Sequence, residues 1–207
     1  MTAGVSSAFD TAFVCVQLQR DLEGGLKSAE IHSVTYLACL LSIYDGCSPG
    51  EWEYVYTSTK AGTPFSAAVD DAILRMLAAG ALVVDGQLLL ASDRGHEVLE
   101  QLKGLPSLRK RERYLEPACS VTLTMPLPAV TEALLHEPQL QTALALRQLR
   151  PLLDETGLAV VRPHIEGLHA ALGSQGAFGV KDLLVPAILW LSYLSRPVQE
   201  IAIAGGV

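Results

Sequence analysis

Few residues of this 207-residue chain are spaced for chemistry. His164-Ile165-Glu166 has the His-x-Glu spacing of zinc deaminases, but the Pro-Cys-x-x-Cys half of that pattern is missing. His164 and His169 are five positions apart and fall off a common helical face, and His32, His96 and His136 stand alone, so no metal centre is expected. The four cysteines, Cys15, Cys39, Cys47 and Cys119, form no Cys-x-x-Cys pair. Cys15, Cys39 and Cys119 sit beside apolar residues and read as small core residues rather than as disulfides or ligands. The stretch 173–179 is glycine-rich but lacks both the Gly-x-Gly-x-x-Gly order and a Lys-Ser/Thr ending, so it reads as a joint and not as a phosphate cradle. No Gly-x-Ser-x-Gly elbow is present. The chain is therefore expected to be no enzyme and to carry no cofactor.

One cluster has electrostatic potential: Arg109, Lys110, Arg111 and Arg113. Such a run touches nucleic-acid phosphates, or it is a solvated helix face paired with Glu112 and Glu116. The surrounding composition leans away from a dedicated DNA binder. Net charge is −7, half of the residues are hydrophobic and only 18% are charged. A surface so poor in charge is relieved by a large core or by a permanent protein partner. The N-terminus lacks the basic start of a signal peptide. The longest apolar run, Leu183–Leu194, has 12 residues where a span needs about 20. A cytoplasmic protein without a membrane segment is the expectation.

The elements that must position these residues are mainly helical, with a small β component (α+β). Residues 9–18 form a strand or a short helix, broken at Gly24-Gly25. Ser28 caps a helix to Tyr44 whose Ile31, Val34, Leu37 and Leu41 share a face. A short helix follows Pro49. The most informative stretch is 63–102. A helix starting at Pro64 or Ser66 buries Val69, Ile73 and Met76 and stops at Gly80. Two apolar runs then flank Asp85-Gly86, a hairpin signal of type I′, and Ser92 caps a second helix to Leu102. Helix, stop, hairpin and helix make a winged-helix module with a small wing. The alternating stretch 120–128 reads as a strand, and helices are expected over 129–136 and 138–153.

A weak echo relates 74–84 to 150–161, with Gly80 facing Gly157 and the valines 83–84 facing 160–161. It allows a second, degenerate winged helix in the helical C-terminal half. Two ordinary helix–glycine–strand joints would give the same echo. The organisation expected is an N-terminal segment 1–27, a winged-helix domain 28–105 and a mainly helical domain 106–207.

The recognition-helix position of the wing module is poorly equipped to read bases. It offers Ser66 and Arg75, while Asp70 and Asp71 repel phosphate. Protein docking is the better reading of this face. Aromatic and apolar anchors for a partner are Trp52 and the C-terminal residues Val180, Leu184, Ile188, Trp190, Leu191 and Tyr193, on a segment apolar nearly all round.

The helix over 28–44, the Pro64-Phe65-Ser66 start, the Ala-Ala-Gly stop at 78–80, the wing, and the helix from Ser92 to Leu102 resemble the small middle component of bacterial three-component ABC-ATPase defence systems, Lamassu-type anti-phage systems above all. The segment 127–144 is similar to the helical half of such subunits. The likeness covers about residues 28–145 and is one of pattern. It implies an accessory subunit bridging an SMC-like ABC-type ATPase and an effector such as a nuclease, with DNA contacted indirectly or weakly. It carries no site residue. The alternative is a winged-helix transcription regulator that dimerises through its C-terminal helices.

Overall fold

A computed structural model describes residues 3–173 and 183–195. The first element, α1 (Ala3–Leu22), is a single helix where a strand or a short helix over 9–18 was expected. Its burial explains the difference. Phe9, Ala12, Phe13, Val14, Cys15 and Leu18 are buried, but so are Ser6, Ser7, Asp10 and Thr11 on the other sides. A helix enclosed all round shows no 3.6-residue period. After α1 the chain passes Gly25, where a Cβ would lie 2.8 Å from the Leu88 side chain, so only glycine allows this approach. Leu26 then exchanges backbone hydrogen bonds of 2.9 and 2.8 Å with Leu89.

Helix α2 (Ser28–Tyr44) forms as expected, but its cap is Lys27 rather than Ser28, with Glu30 accepting from the Lys27 amide at 2.7 Å. It is buried on nearly every side. A 3₁₀ turn over Pro49–Trp52 leads to β1 (Tyr56–Ser58) and β2 (Pro64–Phe65). With β5 (Pro151–Leu152) these make an antiparallel sheet in the order β2–β1–β5, pairing Thr57 with Phe65 and Tyr56 with Leu152. A proline stands in each outer strand.

The run over 63–102 forms the expected elements: α3 (Ala67–Ala78), β3 (Leu82–Asp85), β4 (Leu88–Ala91) and α4 (Asp93–Lys103). Gly80, at φ +69°, ends α3: its amide bonds Leu77 O at 3.0 Å, and the Ala81 amide bonds Met76 O at 2.8 Å. The turn differs from the one read in the sequence. Asp85 pairs with Leu88, so the two central residues are Gly86 and Gln87, and only Gly86 has positive φ (+60°). That is the pattern of a II′ turn, which wants glycine first, and not of I′. Ser92 caps α4 by accepting from the Gly95 amide at 3.2 Å. A Cβ on Gly95 would overlap the Ala81 carbonyl.

Helix α5 (Arg109–Ser120) continues through a 3₁₀ turn at Val121–Leu123 into α6 (Leu127–Leu135), so the strand expected over 120–128 does not form. Its alternation is accidental. Thr122 and Thr124 donate back to the carbonyls of Cys119 and Val121, which ends a helix and builds no ladder. Helix α7 (Pro138–Leu146) stops at Arg147, in the left-handed conformation. Helix α8 (Glu155–Gly173) takes in Leu158–Val161, where the echo allowed a second wing strand. Gly157 lies in its first turn, so the echo with Gly80 is not a structural repeat. Helix α9 (Leu184–Leu194) packs against α5, α6 and α8. One contiguous core runs from Phe9 to Leu194 and crosses the positions 27/28 and 105/106.

Candidate functional site

The most elaborate polar arrangement joins α1, α5 and the segment between them in space. Asp10 on α1 is completely buried and Arg111 on α5 is 5% exposed. The guanidinium grips the carboxylate with both edges, Nε to Oδ1 at 2.7 Å and Nη2 to Oδ2 at 2.5 Å. Its Nη1 donates to Trp52 O at 3.0 Å. The Tyr54 hydroxyl donates to Asp10 Oδ2 at 2.5 Å, and Tyr56 lies behind it at 3.4 Å. The Trp52 ring covers the guanidinium, 4.0 Å from ring centre to Cζ. Burial works against the charge on Arg111, yet the Asp10 carboxylate outweighs it and raises the pKa further. Burial also pushes the Tyr54 and Tyr56 hydroxyls up. The carboxylate, guanidinium and two hydroxyls are joined to one another by hydrogen bonds in the interior, an arrangement that suits a structural latch.

Above the latch is a cavity of about 60 Å³, walled by Cys47, Glu51, Trp52, Lys110, Arg111 and Tyr114. That holds a few waters, whereas ligand pockets run to about 300 Å³ and more.

The structure distributes the expected phosphate-contact residues unevenly. Arg111 points inward, so it is withdrawn from any surface that could meet DNA. Lys110 is exposed and pairs with Glu51 at 2.9 Å, and Arg113 pairs with Asp45 at 2.9 Å. The hydrogen bond to Lys110 lowers the Glu51 pKa and raises that of Lys110. Arg109 is exposed and has no such pair among the described residues. The cations are thus neutralised by acids from positions 10, 45 and 51, not by Glu112 and Glu116 of their own helix.

The expected partner anchors are mostly internal. Trp52 is buried with its indole Nε1 unpartnered. Trp190 and Leu191 face the chain's own core, Leu184 and Ile188 are half-buried, and Tyr193 is 58% exposed. Val180 lies outside the described residues, as does the glycine-rich stretch beyond Gly173. The apolar character of 183–194 thus reflects burial in this chain.

His164 lines a cavity of about 330 Å³ between α8 and α9 with Trp190 and Tyr193, while Glu166 and His169 line a different groove beside Tyr44 and Cys47. The His-x-Glu spacing therefore assembles no joint site. His169 stacks on Tyr44 at 3.9 Å, and its Nε2 lies 2.6 Å from the Tyr44 carbonyl. Among the described residues no three His, Cys, Asp or Glu side chains gather as a metal site.

The outward face of α3 carries Ala67, Asp71, Leu74, Arg75 and Ala78. Arg75 is engaged by Asp71 one turn back. The adjoining β3 exposes Val83 and Val84, and among the described residues its outer edge has no neighbouring strand.

Asp10, Tyr54 and Tyr56 were not singled out in the sequence. The signal was there: one acid amid the apolar run 8–18 must find a cation if that run is buried. No single helix among the described residues is long and apolar enough to cross a membrane. Compared with family models, curated proteins and solved structures, the chain matches none.

Proposed function

We propose that this chain is a non-catalytic accessory subunit with a winged-helix core, which docks on an SMC-like ABC ATPase and links it to an effector such as a nuclease in a bacterial anti-phage or plasmid defence complex. The element order supports the winged-helix reading. Helix α1, the one-residue bridge of Leu26 to β4, α2, α3 and the β3–β4 hairpin follow one another as helix, short strand, two helices and wing. The segment 45–66, with its own strands, is then an insertion between the second and third helices.

The observation that carries the docking role is the outward surface of α3 and β3. Where a DNA reader would present basic and amide side chains, this surface presents alanines, Leu74, Val83, Val84 and an arginine already engaged by Asp71. Apolar, charge-poor area of this kind is suited to a protein partner. DNA contact is secondary in this proposal, because three of the four cations of 109–113 are tied to acids. A reducing cytoplasm is the setting proposed, in keeping with four free cysteines.

The test is co-expression with whatever large coiled-coil ATPase the neighbouring genes encode. A complex stable through gel filtration is expected. Leu74→Glu with Val84→Glu, both at exposed positions, should abolish it while leaving the helical circular-dichroism signal intact. A monomer that ignores the ATPase, or a dimer that binds a palindromic duplex, would sink the proposal.

A further inference from the structure

Positive charge left without carboxylate partners is found away from the arginine-rich run of α5. It lies where two distant segments without acids come together. No Asp or Glu occurs from residue 54 to 69 or from 138 to 153, in a chain of net charge −7. The β1–β5 pairing joins these segments: the Ser58 amide donates to Arg150 O at 2.8 Å, the Arg150 amide to Ser58 Oγ at 3.0 Å, and Ser58 Oγ to Gln148 O at 3.2 Å. The 59–63 turn closes against α7, with the Cβ position of Gly62 3.0 Å from Leu144 Cβ.

Three cations gather on this surface, Lys60, Arg147 and Arg150, and none has a carboxylate partner among the described residues. The acids flanking the two stretches are engaged elsewhere or set apart: Glu137 is fully buried under the start of α7, Asp154 accepts from the Gly157 amide at 2.7 Å, Glu53 accepts from the Ser6 hydroxyl, and Asp70 lies in the first turn of α3. The 144–150 segment also exposes three leucines, Leu144, Leu146 and Leu149, the last 66% exposed.

The chemistry selects the occupant. Phosphates alone would leave the leucines facing water. An added strand is disfavoured, because Pro64 and Pro151 stand in the two outer strands of the sheet. The surface is anchored rather than loose, since the backbone bonds above hold the 147–150 segment to β1. We propose that the 59–63 turn and the 144–150 segment form a docking surface for an acidic amphipathic segment of a partner protein, its apolar residues on the leucines and its carboxylates on Lys60, Arg147 and Arg150. Arginine suits this role because its planar fork takes a carboxylate with two bonds. This inference rests on the surface itself and does not require the ATPase assignment.

Random peptides displayed on phage and selected on the immobilised full chain test it. Enriched peptides should combine Asp or Glu with Leu, Ile or Phe. The best of them, labelled for fluorescence anisotropy, should bind about tenfold more weakly to the variant carrying Lys60→Glu and Arg147→Asn, and added salt should weaken it further. Leu149→Ser should weaken it roughly fivefold. Arg147→Asn is chosen because asparagine tolerates the left-handed backbone at 147 (φ +51°). Lys110→Glu, outside the surface, should change nothing. Enrichment of basic or uncharged peptides, no enrichment, or insensitivity to these variants in chains with unchanged melting temperature would overturn the proposal. So would a short DNA duplex or phosphatidylserine vesicles displacing the peptide and showing the same dependence on Lys60 and Arg147.

Discussion

Glu137 should make the stability of this protein fall as pH rises, and Glu137→Gln should remove that dependence. The residue is fully buried and caps α7, one carboxylate oxygen accepting from the amides of Gln139 at 3.1 Å and Leu140 at 3.0 Å. The other oxygen has no hydrogen-bond partner, and the Tyr36 hydroxyl on α2 faces the carboxyl. Burial pushes the pKa from 4.5 up to about 7, against the opposing pull of the two amides and Tyr36. The folded state therefore holds its proton where the unfolded chain has lost it. The stabilisation is complete below about pH 4.5 and is lost as pH climbs to about 7. At about 1.4 kcal/mol per pKa unit, the loss is on the order of 3 kcal/mol. Glutamine keeps an acceptor for the two amides and cannot ionise.

Urea unfolding of both chains from acid to mildly alkaline pH reads the effect. Comparing the two curves cancels the contribution of the remaining carboxylates. Glu137→Gln should match the parent near pH 5 and exceed it by about 3 kcal/mol near pH 8. Parallel curves would refute the reasoning, as would a mutant weaker at high pH.

Three further outcomes follow from the structure. Gly95→Ala should cost about 1–3 kcal/mol, lowering the melting temperature by several degrees, because its methyl meets the Ala81 carbonyl; an unchanged melting temperature would contradict the close approach of Gly95 to Ala81. Asp10→Asn should cost about 3–5 kcal/mol in denaturant unfolding by stranding the Arg111 charge, and the double change Asp10→Leu, Arg111→Met should recover most of it. Any residual DNA affinity should lose a salt slope of no more than about one on Arg109→Glu, with no larger effect from reversing Lys110 or Arg113.

How much of this was legible in sequence depended on whether the signal was local. Gly80, Gly86 and Ser92 fix their turns and cap by their own backbone needs, so α3, the hairpin and α4 were readable within a residue or two. The turn type was missed because Asp85-Gly86 and Gly86-Gln87 are both plausible centres, and the pairing of Asp85 with Leu88 decides between them. Helix α1 was obscured by being buried on all sides, and 120–128 by threonines that alternate while folding back on their own turns. The site was less legible still. The run 109–113 looks like a cationic patch because the acids that neutralise it lie 59 to 101 residues away. The surface of Lys60, Arg147 and Arg150 looks like nothing in sequence, because the β1–β5 pairing alone brings its halves together.

If the proposed docking role holds, the α3–β3 surface meets a protein. Hydrogen exchange of this chain, alone and with an SMC-like ATPase that co-purifies with it, is the measurement closest to that point. Slowed exchange is expected at the outer-edge amides of β3 (Leu82–Asp85) and along α3 (Ala67–Ala78) when the ATPase is added, and no change there when a DNA duplex is added instead. Protection of α3 by DNA, with none from the ATPase, would contradict it.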